Sequence, residues 1–214
     1  PLRHRNRLYN CAVVIHRGRV LGAGEPKYLN SSETPLFEKG RELYGLSQAL
    51  KPMREAGHVL VVEGYMDVVA LAQFGAGNAV ATLGTATTAH HLTTLMRLTE
   101  RIVFCFDGDA AGRKAAWRAL ENALEALRDD ISLAFLFLPA EHDPDSFVRA
   151  EGIGALRAAA AAATPLTRFL LDELSAAVDL GSPEGRAHFA HAARPLVSRV
   201  AAPLLRQQLV KSVA

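Results

Sequence analysis

Cysteine is nearly missing from this chain of 214 residues: only Cys11 and Cys105 occur, far apart and in no paired spacing. That excludes a cysteine-ligated zinc module within these residues and argues against a disulfide framework. Cys105, inside an apolar run, reads as a small core residue. Long apolar runs are missing as well. No stretch of about 18 such residues occurs and no basic-then-apolar leader opens the sequence, so neither a membrane span nor a signal peptide is expected, and the expected location is the cytoplasm. An excess of either charge is absent too, the formal net charge being +2. Its distribution is uneven, because Arg3, Arg5, Arg7, Arg17, Arg19 and Lys27 are opposed only by Glu25. A locally basic beginning can meet phosphate, and a solvated surface is the plainer reading of the same charges.

What is present is a chain that is 50% hydrophobic, enough to bury a core. Two stretches organise it, Leu60-Val61-Val62-Glu63-Gly64-Tyr65-Met66-Asp67 and Val103-Phe104-Cys105-Phe106-Asp107-Gly108-Asp109. In each, an apolar run rich in Val and Phe stops at acids and glycine, the pattern of a strand buried on both faces. From His58 onward strands and helices alternate: strand 58–62, helix 65–74, strand 78–83, helix 88–98, strand 101–106, helix 111–127, strand 131–138. Thr87 or Thr88 and then Asp109 are expected to cap the second and third helices. Right-handed crossovers turn this run into an α/β fold, a parallel sheet with helices on both faces.

Residues 1–40 read as a small basic α+β segment, with a turn-rich connecting arm over 26–40 and a helical pattern from Glu42 to Met53. The sheet domain is placed at 41–152 and a helical subdomain at 153–214. A short helix at 146–150 precedes an Ala-rich stretch at 155–163, and Thr164-Pro165 marks a break. Leu166, Phe169, Leu170 and Leu174, and later Leu204, Leu205 and Leu209, follow helical spacing.

Sequence order delivers Glu63 after the first strand, Asp107 and Asp109 after the third, and Asp143 and Asp145 after the fourth, all at one edge of a parallel sheet. Asp67, one helical turn from Glu63, is a further candidate. Two unit charges about 4 Å apart repel by roughly 4 kcal/mol at an effective dielectric of about 20, so such acids converge only with a cation or with raised pKa values. Oxygen donors without Cys or His favour Mg²⁺ or Mn²⁺. Read singly, Asp67 and Asp145 could equally be N-caps or solvated loop residues. His90 and His91 point to different helix faces and call for no metal, and Trp117 reads as packing for its helix.

These residues carry a resemblance. Glu63-Gly64-Tyr65-Met66-Asp67-Val68, Asp107-Gly108-Asp109-Ala110-Ala111-Gly112 and Asp143-Pro144-Asp145 resemble the TOPRIM fold of bacterial DnaG-type DNA primases. Lys27-Tyr28-Leu29-Asn30 and Phe37-Glu38-Lys39-Gly40-Arg41-Glu42-Leu43-Tyr44-Gly45 resemble the stretch that precedes that domain. The resemblance implies an enzyme that makes short RNA primers on single-stranded DNA from ribonucleoside triphosphates, by two-metal nucleotidyl transfer. It implies that Asp107, Asp109, Asp143 and Asp145 hold Mg²⁺ or Mn²⁺, and that Glu63 is a ligand or an acid/base group at the primer 3′-hydroxyl. Lys27, Asn30, Lys39 and Arg19, with Asp67, would face nucleotide or DNA. It also implies an N-terminal zinc module and a replicative-helicase contact on domains outside this chain, and a basic subdomain that is truncated here.

Three rivals share parts of the pattern. A strand ending in Asp107-Gly108-Asp109 is similar to haloacid-dehalogenase phosphatases, whose first Asp attacks phosphate; that family does not use an upstream Glu63. A catalytically silent DNA-binding module would leave the acids as helix caps. A TOPRIM topoisomerase would bring a catalytic-tyrosine domain, for which the sequence gives no sign.

Overall fold

The computed structural model describes residues 40–82 and 86–213 in full and, earlier in the chain, the course of four short strands. Contacts divide the chain into Pro1–Glu38 and Lys39–Ala214. In the first unit β1 (Leu2–His4) pairs antiparallel with β2 (Arg7–Tyr9), and β3 (Ala12–His16) with β4 (Arg19–Gly24), where Arg19 stands opposite His16. These hairpins match the small β element expected of residues 1–30. Lys27, Asn30 and Lys39 lie outside the described residues.

In the second unit the elements are β5 (Leu43–Tyr44), α1 (Leu46–Ala56), β6 (Val59–Val62), α2 (Tyr65–Gln73), β7 (Ala79–Thr82), α3 (Ala89–Met96), β8 (Arg101–Phe106), α4 (Ala110–Leu124) and β9 (Ser132–Phe137). They continue with α5 (Pro144–Ala161), β10 (Thr164–Pro165), α6 (Leu166–Ser175), α7 (Pro183–Arg199) and α8 (Pro203–Val213). The sheet order is β10-β9-β8-β6-β7-β5. Its four central strands are parallel, as expected from the alternation, and every residue of β6 and β7 is buried. Both edges correct that expectation, because β5 and β10 run antiparallel to β7 and β9. Each edge is only two residues long, too short to leave a periodic signal, and β5 lies in a stretch that read as helix. Pro165 is tolerated because it ends an edge strand.

Alternation along the strands builds two cores. On one face Phe104, Phe106 and Phe135 stack at centroid separations of 5.8 and 6.3 Å, and Phe169 of α6 closes on Phe135 at 4.9 Å and on Phe137 at 5.4 Å. Residues of α1, α3, α4, α6 and α7 join that cluster. On the opposite face Leu60, Val62, Val103, Cys105 and Leu136 pack with Val68 and Leu71 of α2 and with Phe147 and Leu156 of α5. Helices therefore cover both faces. Cys105 is buried, and desolvation first, with nearby carboxylates second, pushes its thiol up to about 12. Trp117 packs edge-on against Phe169 at 6.4 Å. Arg113 of α4 lies over the Phe137 ring at 5.2 Å and forms an ion pair with Glu173 of α6.

The two short helical segments expected at 146–150 and 155–163 are the two arms of α5, separated at Gly152, whose φ of 79° and ψ of 167° are not helical. Among the described residues no helix is long and apolar enough to cross a membrane.

Candidate active site

Chain order and sheet order together fix the site. The chain passes from β6 outward to β7, then returns across β6 to β8 and on to β9, so neighbouring β6 and β8 flank the point where the strand order reverses. Ligands of open α/β sheets bind at that point, beyond the carboxyl ends of the strands. Glu63 follows β6 there and Asp107 follows β8.

Glycines shape the approach. A Cβ on Gly108 would come within 1.9 Å of the Leu138 carbonyl oxygen, and one on Gly112 within 2.1 Å of the Asp107 carbonyl oxygen. The turn after β8 can thus lie flat against the segment leaving β9, and α4 can start directly on the Asp107 backbone. The Asp-Gly-Asp-x-x-Gly spacing is a packing requirement as well as a chemical one.

Capping orients the acids. The Gly112 N–H donates to Asp109 Oδ1 at 2.7 Å, fixing Asp109 as the N-cap of α4 as the sequence predicts. Thr88 caps α3 by accepting from the His91 N–H at 3.2 Å, while the Thr88 N–H donates to His91 Nδ1 at 3.3 Å. His91 is buried and His90 exposed, in line with their expected opposite faces. Asp143 caps α5, accepting from the Ser146 N–H at 2.7 Å. Asp67 accepts from the Gly64 N–H at 3.2 Å. The capping role and the cluster role coincide in these residues, since one carboxylate oxygen takes the cap and the other stays available.

Electrostatics bind the acids into a group. Partial desolvation, then the charges of Asp107, Asp109 and Asp67, raise the Glu63 carboxyl above its ordinary range. Asp107 is raised by desolvation and by Asp109 and Asp143. Asp67 is raised by desolvation, against the lowering effect of its Gly64 hydrogen bond, and further by Asp143, Asp107 and Asp145. Asp143 is held low, chiefly by the Ser146 N–H. Asp145 is drawn instead to Arg149, whose Nε donates at 2.6 Å. The two arginine contacts, at Asp145 and at the Phe74 ring 5.4 Å away, were not legible in the sequence.

Mutual repulsion among Glu63, Asp67 and Asp107 is the mark of a site that a divalent cation would relieve, and hard carboxylate oxygens suit Mg²⁺ or Mn²⁺. Among the described residues no three His, Cys, Asp or Glu side chains stand close enough together to hold a metal ion by themselves. A cation here would complete its shell with water and substrate phosphate, the usual habit of Mg²⁺.

The chain is similar to known proteins along most of its length. A family model described as Toprim-like matches residues 60–148, the DNA primase catalytic core N-terminal domain matches 8–50, and the DnaB-helicase binding domain of primase matches 167–214. The last match corrects the expectation that a helicase-contacting segment would lie wholly outside this chain. A DNA primase of Neisseria meningitidis serogroup A is 55% identical over 206 residues, 94% of this chain, and the chain spans 35% of that protein's length. A solved DnaG catalytic core is 48% identical with a TM-score of 0.81, covering 95% of this chain and 68% of that one. A DnaG primase catalytic domain solved bound to single-stranded DNA is 52% identical with a TM-score of 0.79, covering 91% and 63%.

Proposed function

The chain belongs to the DnaG-type DNA primases, and we propose that it carries the part of such an enzyme that joins ribonucleotides into short primers on single-stranded DNA. In this reading residues 41–152 are the catalytic TOPRIM domain, residues 1–40 belong to the basic segment that feeds it, and residues 153–214 form a helical subdomain. The observation that carries the proposal is the position of Glu63 after β6 and of Asp107 and Asp109 after the adjacent parallel β8, where burial and mutual charge raise the Glu63 and Asp107 carboxyls.

The residues act as follows. Asp107 and Asp109, held by the Gly108 and Gly112 packing, present carboxylate oxygens to the cations that accompany a nucleoside triphosphate, with Asp143 and Asp145 extending the set. Divalent cations, if held by these carboxylates, would supply charge neutralisation for the transferred phosphoryl group and would lower the pKa of the attacking hydroxyl. Glu63, its carboxyl raised by burial and neighbouring charge, would either ligate or accept the proton of the primer 3′-hydroxyl. Lys27, Asn30, Lys39 and Arg19 contact nucleotide or template phosphates, and Asp67 joins the acid group from α2. Residues 167–214 contribute to a contact with the replicative helicase. The proposed setting is the cytoplasm, in the bacterial replisome.

The test is incorporation of radiolabelled ribonucleotides by this chain on a single-stranded DNA template with Mn²⁺ or Mg²⁺. Metal-dependent, template-dependent product is expected. Phosphate release from a phosphomonoester with no polymer formed would favour the phosphatase reading instead.

A further inference from the structure

Eight large apolar side chains are exposed among the described residues, and four of them gather at the edge of the carboxylate group. Tyr65 (56% exposed), Met66 (62%) and Val69 (46%) lie on the outer surface of α2, spaced so that Tyr65 and Val69 are one turn apart. Tyr44 of β5 meets Tyr65 with ring centroids 5.7 Å apart and planes tilted by 60°. Isolated exposed apolar residues call for no account, whereas a contiguous patch marks a binding surface.

Position limits the occupant. The patch begins two residues after Glu63, and Tyr65 opens the helix whose third residue is Asp67. A ligand here therefore meets acids at one end and an aromatic surface at the other. A nucleotide has that shape: phosphates that arrive with divalent cations, and an uncharged base with a π face. A purely apolar ligand would leave the acids unused, and an anionic ligand without a flat apolar part would leave the tyrosines unused. Base–aromatic stacking tolerates any base, which suits a site that must accept all four. The tilted Tyr44 ring braces Tyr65, so less side-chain freedom is lost when a base stacks upon it.

We infer that Tyr65, backed by Tyr44, stacks on the base of the nucleoside triphosphate whose phosphates are taken at Glu63, Asp107 and Asp109. This rests on the nucleotidyl-transfer reading above and adds a base-binding residue to it.

Calorimetry on the whole chain in Mn²⁺ tests it with three probes: ATP, inorganic tripolyphosphate, which has the phosphates but no base, and a short oligothymidylate. Tyr65→Ala is expected to weaken ATP binding roughly tenfold, to leave tripolyphosphate and oligothymidylate binding unchanged, and to leave the melting temperature near wild type because Tyr65 is exposed. Tyr65→Phe should restore ATP affinity, since the ring and not the hydroxyl does the stacking. Tyr44→Ala should show a smaller loss of the same kind. Unchanged ATP affinity in Tyr65→Ala overturns the inference while the nucleotidyl-transfer reading stands, and so does equal loss of ATP and tripolyphosphate. A loss confined to oligothymidylate assigns the patch to the template and overturns it likewise. A wild-type chain that binds neither ATP nor tripolyphosphate overturns the inference and the nucleotidyl-transfer reading together.

Discussion

Gly108 lies against Leu138 so closely that a Cβ on Gly108 would sit 1.9 Å from the Leu138 carbonyl oxygen. This contact holds the turn after β8 on the segment leaving β9, and it is why Asp143 is near enough to Asp107 to raise its carboxyl. Gly108→Ala must push backbone aside, so a loss of about 3 kcal/mol or more in unfolding free energy is expected. Gly154→Ala is the control: nothing lies within 4 Å of its Cβ position, and removing a helical glycine should be neutral or stabilising by up to about 1 kcal/mol. Urea denaturation of both variants checks the contrast, and equal stabilities would remove the packing argument.

Asp107→Asn and Asp109→Asn separate the metal role from the structural one. Asparagine is as good an N-cap as aspartate, so Asp109→Asn keeps the Gly112 hydrogen bond while losing charge. Both variants should keep the fold and weaken Mn²⁺ binding by roughly tenfold or more, the scale on which even outer partners of a metal act. Asp109→Ala should lose the cap as well, at about 1 kcal/mol of stability. Calorimetry showing wild-type Mn²⁺ affinity in both asparagine variants would remove these acids from the cation site.

Glu63→Gln keeps the shape of the site and deletes a charge or proton acceptor. The expected outcome is a fall in turnover that exceeds any change in nucleotide affinity, because a general base or transition-state ligand acts mainly on the chemical step. Steady-state kinetics at saturating ribonucleotide measures it. Near-normal turnover would make Glu63 structural.

The parallel core was readable because β6, β7 and β8 are buried on both faces, which imposes unbroken apolar runs and sharp ends at Glu63 and Asp107. The edges were not, since Leu43–Tyr44 and Thr164–Pro165 owe their strand form to pairing with β7 and β9 and to no pattern of their own. The acids were found because chain order alone places them at strand ends. Their pairing was not: Asp145 with Arg149 is set by the course of α5. The exposed Tyr65 and Met66 were hidden for the same reason, as an apolar residue on a short helix reads as core until its neighbours are known.

Lys27→Ala and Lys39→Ala test the family-derived part of the reading. A lysine on a template phosphate contributes to salt-sensitive binding, so its loss should flatten the slope of log affinity against log salt by about 0.7 per contact on single-stranded DNA. A lysine that touches only the triphosphate should leave that slope alone and reduce nucleotide affinity. Fluorescence anisotropy with a labelled oligonucleotide over a salt series distinguishes them. Wild-type values throughout would place neither lysine at the site.

The raised acids also predict how stability depends on pH. The Glu63 and Asp107 carboxyls, ordinarily at 4.5 and 3.8, are held higher in the folded chain by desolvation and by neighbouring carboxylates. In the window between those ordinary values and the raised ones, the folded chain keeps protons that the unfolded chain has released. Metal-free stability therefore falls as pH rises through this window, and the whole penalty is present above it. Asp143 works in the opposite sense: its lowered carboxyl contributes stability above the ordinary value, lost as pH falls through the folded value. Since other groups titrate in the same range, the informative quantity is the difference between wild type and Asp107→Asn. The variant lacks one acid and relieves Glu63, so its metal-free melting temperature should exceed that of wild type near neutral pH, and the gap should close toward pH values below about 4. Mn²⁺ should raise the wild-type melting temperature near neutral pH, and that rise should shrink as the acids protonate. If the two metal-free chains melt alike at every pH, the acids do not repel one another and the cation site has lost its physical basis.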